Sequence, residues 1–126
     1  AGYIDIGGGK ELYYWFVESQ NSPVDDPLLL WTNGGPGCSG VGGGLSENGP
    51  FRAMIDGSLS LNEYSWNKVA NVIFIEQPAG VGFSKAPSDM EYGDEHAAAD
   101  NLKFVQAFYV RFPQFASNPL YIAGES

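Results

Sequence analysis

The spacing of apolar residues changes along this chain, and the changes divide it into elements. ELYYWFV (11–17) is dense in aromatic and β-branched residues, the composition of a strand. GYIDI before it, across GGGK, predicts the other arm of a hairpin. NSPVDDP (21–27) is turn chemistry. LLLW (28–31) and NVIFIE (71–76) are short unbroken apolar runs, the pattern of strands covered on both faces. NPLYIAG (118–124) predicts a third such strand.

Between residues 94 and 112 the period lengthens to that of a helix. Ala98, Leu102, Val105, Tyr109 and Phe112 predict one apolar stripe, with Asp94 as the N-cap and Pro113 as the stop. Buried strands alternating with a long helix predict an α/β fold built on a largely parallel sheet. Such a sheet needs helices on both faces, and one helix does not supply them. The expectation is therefore an incomplete sheet over residues 1–126.

Composition narrows the function. Hydrophobic residues make up 44% of the 126 and aromatics 14%, ample material for a core and unlike a disordered chain. The formal charge is −9, and the six basic residues are scattered without a patch. Nucleic acid is thereby disfavoured as a partner, since phosphate contacts need clustered Lys and Arg. No apolar stretch approaches the ~20 residues that span a bilayer. The chain begins AGYIDI, without the basic and apolar regions of a secretory signal, which decides nothing about secretion. The single Cys38 has no partner within these residues.

Two stretches carry chemistry. The last predicted strand runs into Gly124-Glu125-Ser126, the first half of a G-x-S-x-G nucleophile elbow. In that elbow a serine sits on a sharp turn that leaves room only for small neighbours. Alone, a Gly-x-Ser says little. Asn33-Gly34-Gly35-Pro36-Gly37 follows an early buried strand, where an α/β-hydrolase keeps its oxyanion loop. A tight turn would need only one or two of those glycines. Two such features in the right order favour an enzyme.

WTNGGPGCSG (31–40), ENGPF (47–51), SWNKVANVIFIEQPAGVGFS (65–84), RFPQF (111–115) and YIAGES (121–126) together resemble the serine carboxypeptidase family. The resemblance covers nearly the whole chain and implies that residues 1–126 are the N-terminal part of one α/β-hydrolase catalytic domain, with an incomplete sheet. It implies that Ser126 is the acylating serine. Gly35 would donate one oxyanion N–H, the other coming from the residue after Ser126. Trp31, Asn33, Gly34, Glu47 and Glu125 would form the site for the free C-terminal carboxylate of a peptide substrate. Cys38 would form a disulfide with a later cysteine, buried beside the glycine loop, in a vacuolar, lysosomal or secreted enzyme. Catalytic Asp and His would lie downstream, so the remainder of the same enzyme is an implied partner. Neither cofactor nor metal is implied, and the resemblance leaves room for a homodimer.

Several expectations follow from these assignments. Two glutamates facing a substrate carboxylate repel it unless a proton is shared, so acidic pH should favour the reaction. Without the resemblance, Glu47 reads as a helix cap or a partner of Arg52. Residues 1–126 alone should be inactive and poorly folded. His96, the only histidine, precedes the serine and reads as a solvated surface residue. Gly40 and Glu76 depart from the family's commoner Ser and Asp without touching the proposed donors. Other readings are a carboxypeptidase-like acyltransferase, a hydroxynitrile lyase, or a catalytically incomplete stabilising partner. A proline-iminopeptidase-like hydrolase fits less well, because Asn33 stands where that group carries His.

Overall fold

A computed structural model describes all residues 1–126. Strand β1 (Gly2–Gly7) pairs antiparallel with β2 (Lys10–Val17), joined by Gly8 and Gly9 with positive φ, the conformation a tight hairpin turn demands. β3 (Leu28–Asn33) follows, then a one-turn α1 (Gly40–Gly43) that runs into a π-helical turn over Gly44–Asn48. A small hairpin, β4 (Phe51–Ala53) and β5 (Leu59–Leu61), stands apart from the main sheet. β6 (Asn71–Ile75), α2 (Asp94–Arg111) and β7 (Leu120–Glu125) complete the chain.

The five main strands lie in the order β1-β2-β6-β3-β7. β3 is parallel to both β6 and β7, while β2 runs antiparallel to β6. Every residue of β6 is buried, because β6 has strands on both sides and cover on both faces. Alternate residues of β3 and β6 divide the core. Leu28, Leu30, Ile73 and Ile75 join Leu12, Phe104 and Phe108 under α2. Leu29, Trp31, Val72 and Phe74 form a smaller cluster on the other face. The π-helical turn partly covers that second face: a Cβ on Gly44 would touch the rings of Phe74 and Trp15 at 3.0 Å.

The expected helix is present, and Val105, Tyr109 and Phe112 of the expected stripe pack half-buried against the core, but Ala98 and Leu102 are exposed and other residues hold the centre of the buried face. Asp100, Phe104 and Phe108 are the buried residues, and Leu102 is 59% exposed. Aromatic packing decides this register. Phe104, Phe108 and Phe112 all meet the Tyr14 ring edge-on, and Phe108 and Phe115 also pack on Phe16. Fully burying a Phe is worth about 1.5–3 kcal/mol, more than the Ala98 methyl could return. Asp100 is tolerated on this face because Lys10 Nζ donates to its Oδ2 at 2.7 Å. Gly93 occupies the cap position without a side-chain hydrogen bond, and Asp94 stands inside the first turn.

β7 is also a correction. The apolar run 120–123 forms the predicted strand, but at the sheet edge, with Tyr121 and Ile122 60% and 69% exposed. Hydrogen bonds to β3 satisfy one side only, and α2 packs over β1 and β2 at the far end of the sheet.

Candidate active site at the carboxyl ends of the parallel strands

β3, β6 and β7 are parallel, so their carboxyl ends open at one edge of the sheet, where α/β folds place their ligands. β3 ends on Asn33, β6 is followed by Glu76 and Gln77, and β7 ends on Glu125 with Ser126 next. Register alone therefore brings Asn33 opposite Glu125.

The elbow is shaped by its small residues. Ser126 has φ 55°, the only non-glycine residue with positive φ. Such a conformation costs an L-residue energy and is typical of functional turns. Gly124 is required because a Cβ there would come within 2.6 Å of Thr32 Oγ1. Across from it, a Cβ on Gly34 would fall 2.8 Å from the Glu125 carbonyl oxygen and 2.9 Å from Ser126 Cβ. The glycine loop thus lies directly against the serine turn. Gly35 has φ +112°, and the loop is closed by the Cys38 N–H donating to the Gly34 carbonyl at 3.0 Å.

Asn33 is the centre of the polar network. Its Oδ1 accepts from the Trp31 indole N–H at 2.9 Å. Its Nδ2 donates to Glu47 Oε1 at 2.8 Å and, at a longer 3.4 Å, toward Glu125 Oε2. The indole fixes which end of the amide faces the glutamates, since an N–H can only donate. Asn33 is buried, whereas Glu47 and Glu125 are exposed, so their carboxyls are open to a ligand. Gly43 backs this arrangement: a Cβ there would overlap the Asn33 amide. Glu47 arrives from the π-helical turn and makes no ion pair with Arg52.

Ser126 and Asn33 through Gly37 line one wall of a cleft of about 560 Å³. Gln77, Gly80 and Tyr92 line the other wall, and Tyr92 donates its hydroxyl to the Ala79 carbonyl at 3.1 Å. Of the residues expected at a carboxylate site, Asn33 and Gly34 line this cleft with Gly35 and Ser126, while Trp31, Glu47 and Glu125 lie outside its lining and join it through their hydrogen bonds to Asn33. Cys38 is exposed where burial was expected, and a Cβ on Gly35 would fall 3.3 Å from its Sγ, so the thiol lies beside the glycine loop. His96 is exposed on the first turn of α2 and is not among the residues that line the cleft.

Sequence reasoning missed a supporting layer. Glu76, read as a conservative variation, is 1% exposed and takes hydrogen bonds from Ser39 Oγ at 2.8 Å and the Gly40 N–H at 3.1 Å. Burial raises its carboxyl above the ordinary value, against the opposing pull of those two bonds. Gln77 donates to the Asn33 carbonyl at 3.4 Å. The available signal was a glutamate and a glutamine directly after the apolar run Val72–Ile75 of β6.

A profile described as serine carboxypeptidase matches residues 1–126. The chain belongs to the serine carboxypeptidase family. The lysosomal protective protein of Mus musculus is 46% identical over 128 residues, covering 100% of this chain and 27% of that protein. The P-(S)-hydroxymandelonitrile lyase of Sorghum bicolor is 50% identical over 128 residues, covering 98% of this chain and 25% of the relative. The crystal structure of the prohormone-processing carboxypeptidase Kex1 from Saccharomyces cerevisiae superposes with a TM-score of 0.86 at 31% identity, covering 98% of this chain and 30% of that one. The chain therefore spans about a quarter of the length of these curated relatives, and its sheet is the N-terminal portion of the α/β-hydrolase fold that the family builds.

Proposed function

We propose that this chain is the nucleophile-bearing part of a serine carboxypeptidase, which releases C-terminal residues from peptides at acidic pH through an acyl-enzyme. The observation that carries this reading is the Asn33 amide, oriented by Trp31 and donating toward both Glu47 and Glu125, beside Ser126. A carboxylate arriving between two carboxyls is held only if a proton is shared among them, because three like charges at such range repel. Gly34 adds a backbone N–H on the same side. An internal peptide bond or an amidated end cannot accept the shared proton equally well.

The chemistry follows from the elbow. Ser126 Oγ attacks the scissile carbonyl carbon while a histidine from the downstream chain takes its proton. The Gly35 N–H and the N–H of the residue after Ser126 stabilise the oxyanion. The proton passes to the leaving amine, the C–N bond breaks, and water then hydrolyses the ester by the same route. Cys38, exposed on the loop, is bonded to a cysteine of the downstream chain. A lysosomal, vacuolar or secreted location agrees with the lysosomal protective protein among the relatives, and no helix here is long and apolar enough to cross a membrane. A hydroxynitrile lyase is the second reading, because one relative bearing that name is 50% identical across nearly all of this chain.

The test is kcat/KM of the full-length enzyme for a blocked dipeptide and its C-terminal amide, across about pH 4 to 8. KM for the free acid should rise as pH increases, while the amide shows little change. A KM that is flat for the free acid would sink the shared proton. Cleavage of a hydroxynitrile without peptide turnover would establish the second reading instead.

A further inference from the structure

The glycine loop leaves β3 at Asn33 and enters α1 at Gly40, and it packs against the serine turn at Gly34. Its own backbone supplies one closing bond, from the Cys38 N–H to the Gly34 carbonyl. Both ends of the loop are instead held from the end of β6. At the far end, the Glu76 carboxyl accepts from Ser39 Oγ and from the Gly40 N–H. Ser39 Oγ is fixed in turn, since it accepts the Gly42 N–H at 2.8 Å. At the near end, Gln77 Nε2 reaches the Asn33 carbonyl, while its Oε1 accepts from Asn101 of α2 at 3.3 Å.

The surroundings are built to receive this carboxyl. A Cβ on Gly82 would collide with Glu76 Oε1, so glycine at that position makes space for it. A Cβ on Gly40 would overlap the Ile75 carbonyl, so α1 backs directly onto β6 beside the carboxyl. Glu76 is held on its own strand by its N–H donating to Tyr13 O at 2.9 Å and by Ser84 Oγ donating to its carbonyl at 2.6 Å. No lysine, arginine or histidine pairs with it; the two salt bridges of the chain lie elsewhere. A buried carboxyl without a cation is costly and is expected to have a task.

We infer that Glu76, with Gln77 beside it, is a positioning residue that clamps the glycine loop onto β6 and so sets where the Gly35 N–H points. The inference rests on the proposed role of Gly35 in oxyanion stabilisation. It separates two parts of the site. Asn33 is held by strand pairing in β3 and by Trp31 in addition to Gln77, whereas the far end of the loop is held by Glu76. Loosening the clamp therefore affects the transition state more than the carboxylate site.

The experiment compares Glu76→Ala, Ser39→Ala and Glu76→Gln in the full-length enzyme, with kcat counted per serine titrated by an organophosphate. Losing one oxyanion donor outright costs about 10²–10³ in rate, so a misplaced one should cost about 10–100-fold in kcat. Glu76→Ala should show that loss with KM for a free-acid peptide within about twofold of the parent. Gln keeps an acceptor for the Gly40 N–H and a polar contact for Ser39, so it should recover most of the loss. Ser39→Ala removes one contact and leaves the carboxyl in place, which keeps the test available if Glu76→Ala does not fold. Hydrogen exchange over residues 34–42 reads the loop independently of turnover and should accelerate in Glu76→Ala and Ser39→Ala. A lower melting temperature with unchanged kcat and unchanged exchange would overturn the clamp. If the full-length enzyme turns over no peptide, the functional reading fails and exchange alone decides the clamp: faster exchange supports it, unchanged exchange overturns it.

Discussion

Asn33 is the residue on which the proposed substrate site turns, and its neighbours specify how it should fail. Alanine there removes the amide that faces Glu47 and Glu125 and leaves the Trp31 indole N–H without its acceptor. A hydrogen bond to a charged partner is worth about 1.5–3 kcal/mol, so Asn33→Ala should lower kcat/KM for a free-acid peptide by roughly 10–100-fold. The amide of the same peptide should lose much less. Gly43→Ala should reproduce this selectivity without touching a polar group, because its new methyl would displace the Asn33 side chain. Equal losses for acid and amide in either variant would remove Asn33 from carboxylate recognition. Glu76 gives a second expectation at this scale, concerning stability. Its carboxyl is raised above the ordinary 4.5 by burial, so the folded state holds the proton more tightly than the unfolded chain does. The stabilisation is complete below the unfolded value and is lost as pH rises through the folded one. Glu76→Gln has no such proton, so its melting temperature relative to the parent should climb between about pH 4 and pH 7. A constant difference across that range would mean that the carboxyl does not titrate differently on folding.

At the scale of elements, α2 is fastened to the sheet by rings and by one ion pair. Lys10 and Asp100 have side-chain exposures of 18% and 4%, and Lys10 belongs to β2. Removing one partner of a buried pair leaves the other desolvated and costs about 3–5 kcal/mol. Asp100→Ala should approach the lower end, since Lys10 keeps some water, and a denaturant melt of the full-length enzyme would measure it. A loss below about 1 kcal/mol would mark the pair as an ordinary surface contact. This pair also explains why the helix was only partly legible. Its span and its stop before Pro113 can be read from spacing, as can the strands at 11–17, 28–31 and 71–76. The buried face cannot in full, because the side of the helix that carries Phe104 and Phe108 also buries Asp100. Its lysine lies 90 positions away in sequence. The same limit hid the short turns after Gly40, whose glycines read as a loop until Asn33 and Phe74 came close enough to require them. At the candidate site, motifs single out Asn33, Gly34, Gly35 and Ser126, which the fold brings to one cleft, but the Glu76 and Gln77 support was not legible, since it exists only when β6 lies beside β3. The exposure of Cys38 and of β7 likewise depends on where neighbours stop, which local pattern does not record.

For the molecule as a whole, the sheet divides into a covered part and an open part. Under α2 the core is closed, but beside β7 the chain presents Leu29, Tyr121, Ile122, Trp66 and Val69 around an apolar groove of about 350 Å³. β7 also offers its unpaired edge, six residues long. Exposed apolar strand edges promote association between chains, so residues 1–126 expressed alone should aggregate at concentrations where the full-length enzyme stays monodisperse or forms defined oligomers. Activity should be absent for an independent reason. A serine hydroxyl is a weak nucleophile without an adjacent base, and the one histidine among these residues, His96, is exposed on α2. Loss of the base and of the second oxyanion donor should together suppress turnover by far more than the roughly 10²–10³ that one donor is worth. Size-exclusion chromatography, a thermal melt and a peptidase assay on the 126 residues check both expectations separately. A monodisperse, cooperatively melting fragment without activity would show that the open face is tolerated while leaving the chemistry as argued. Peptide release by the fragment would show that Ser126 does not depend on a downstream base.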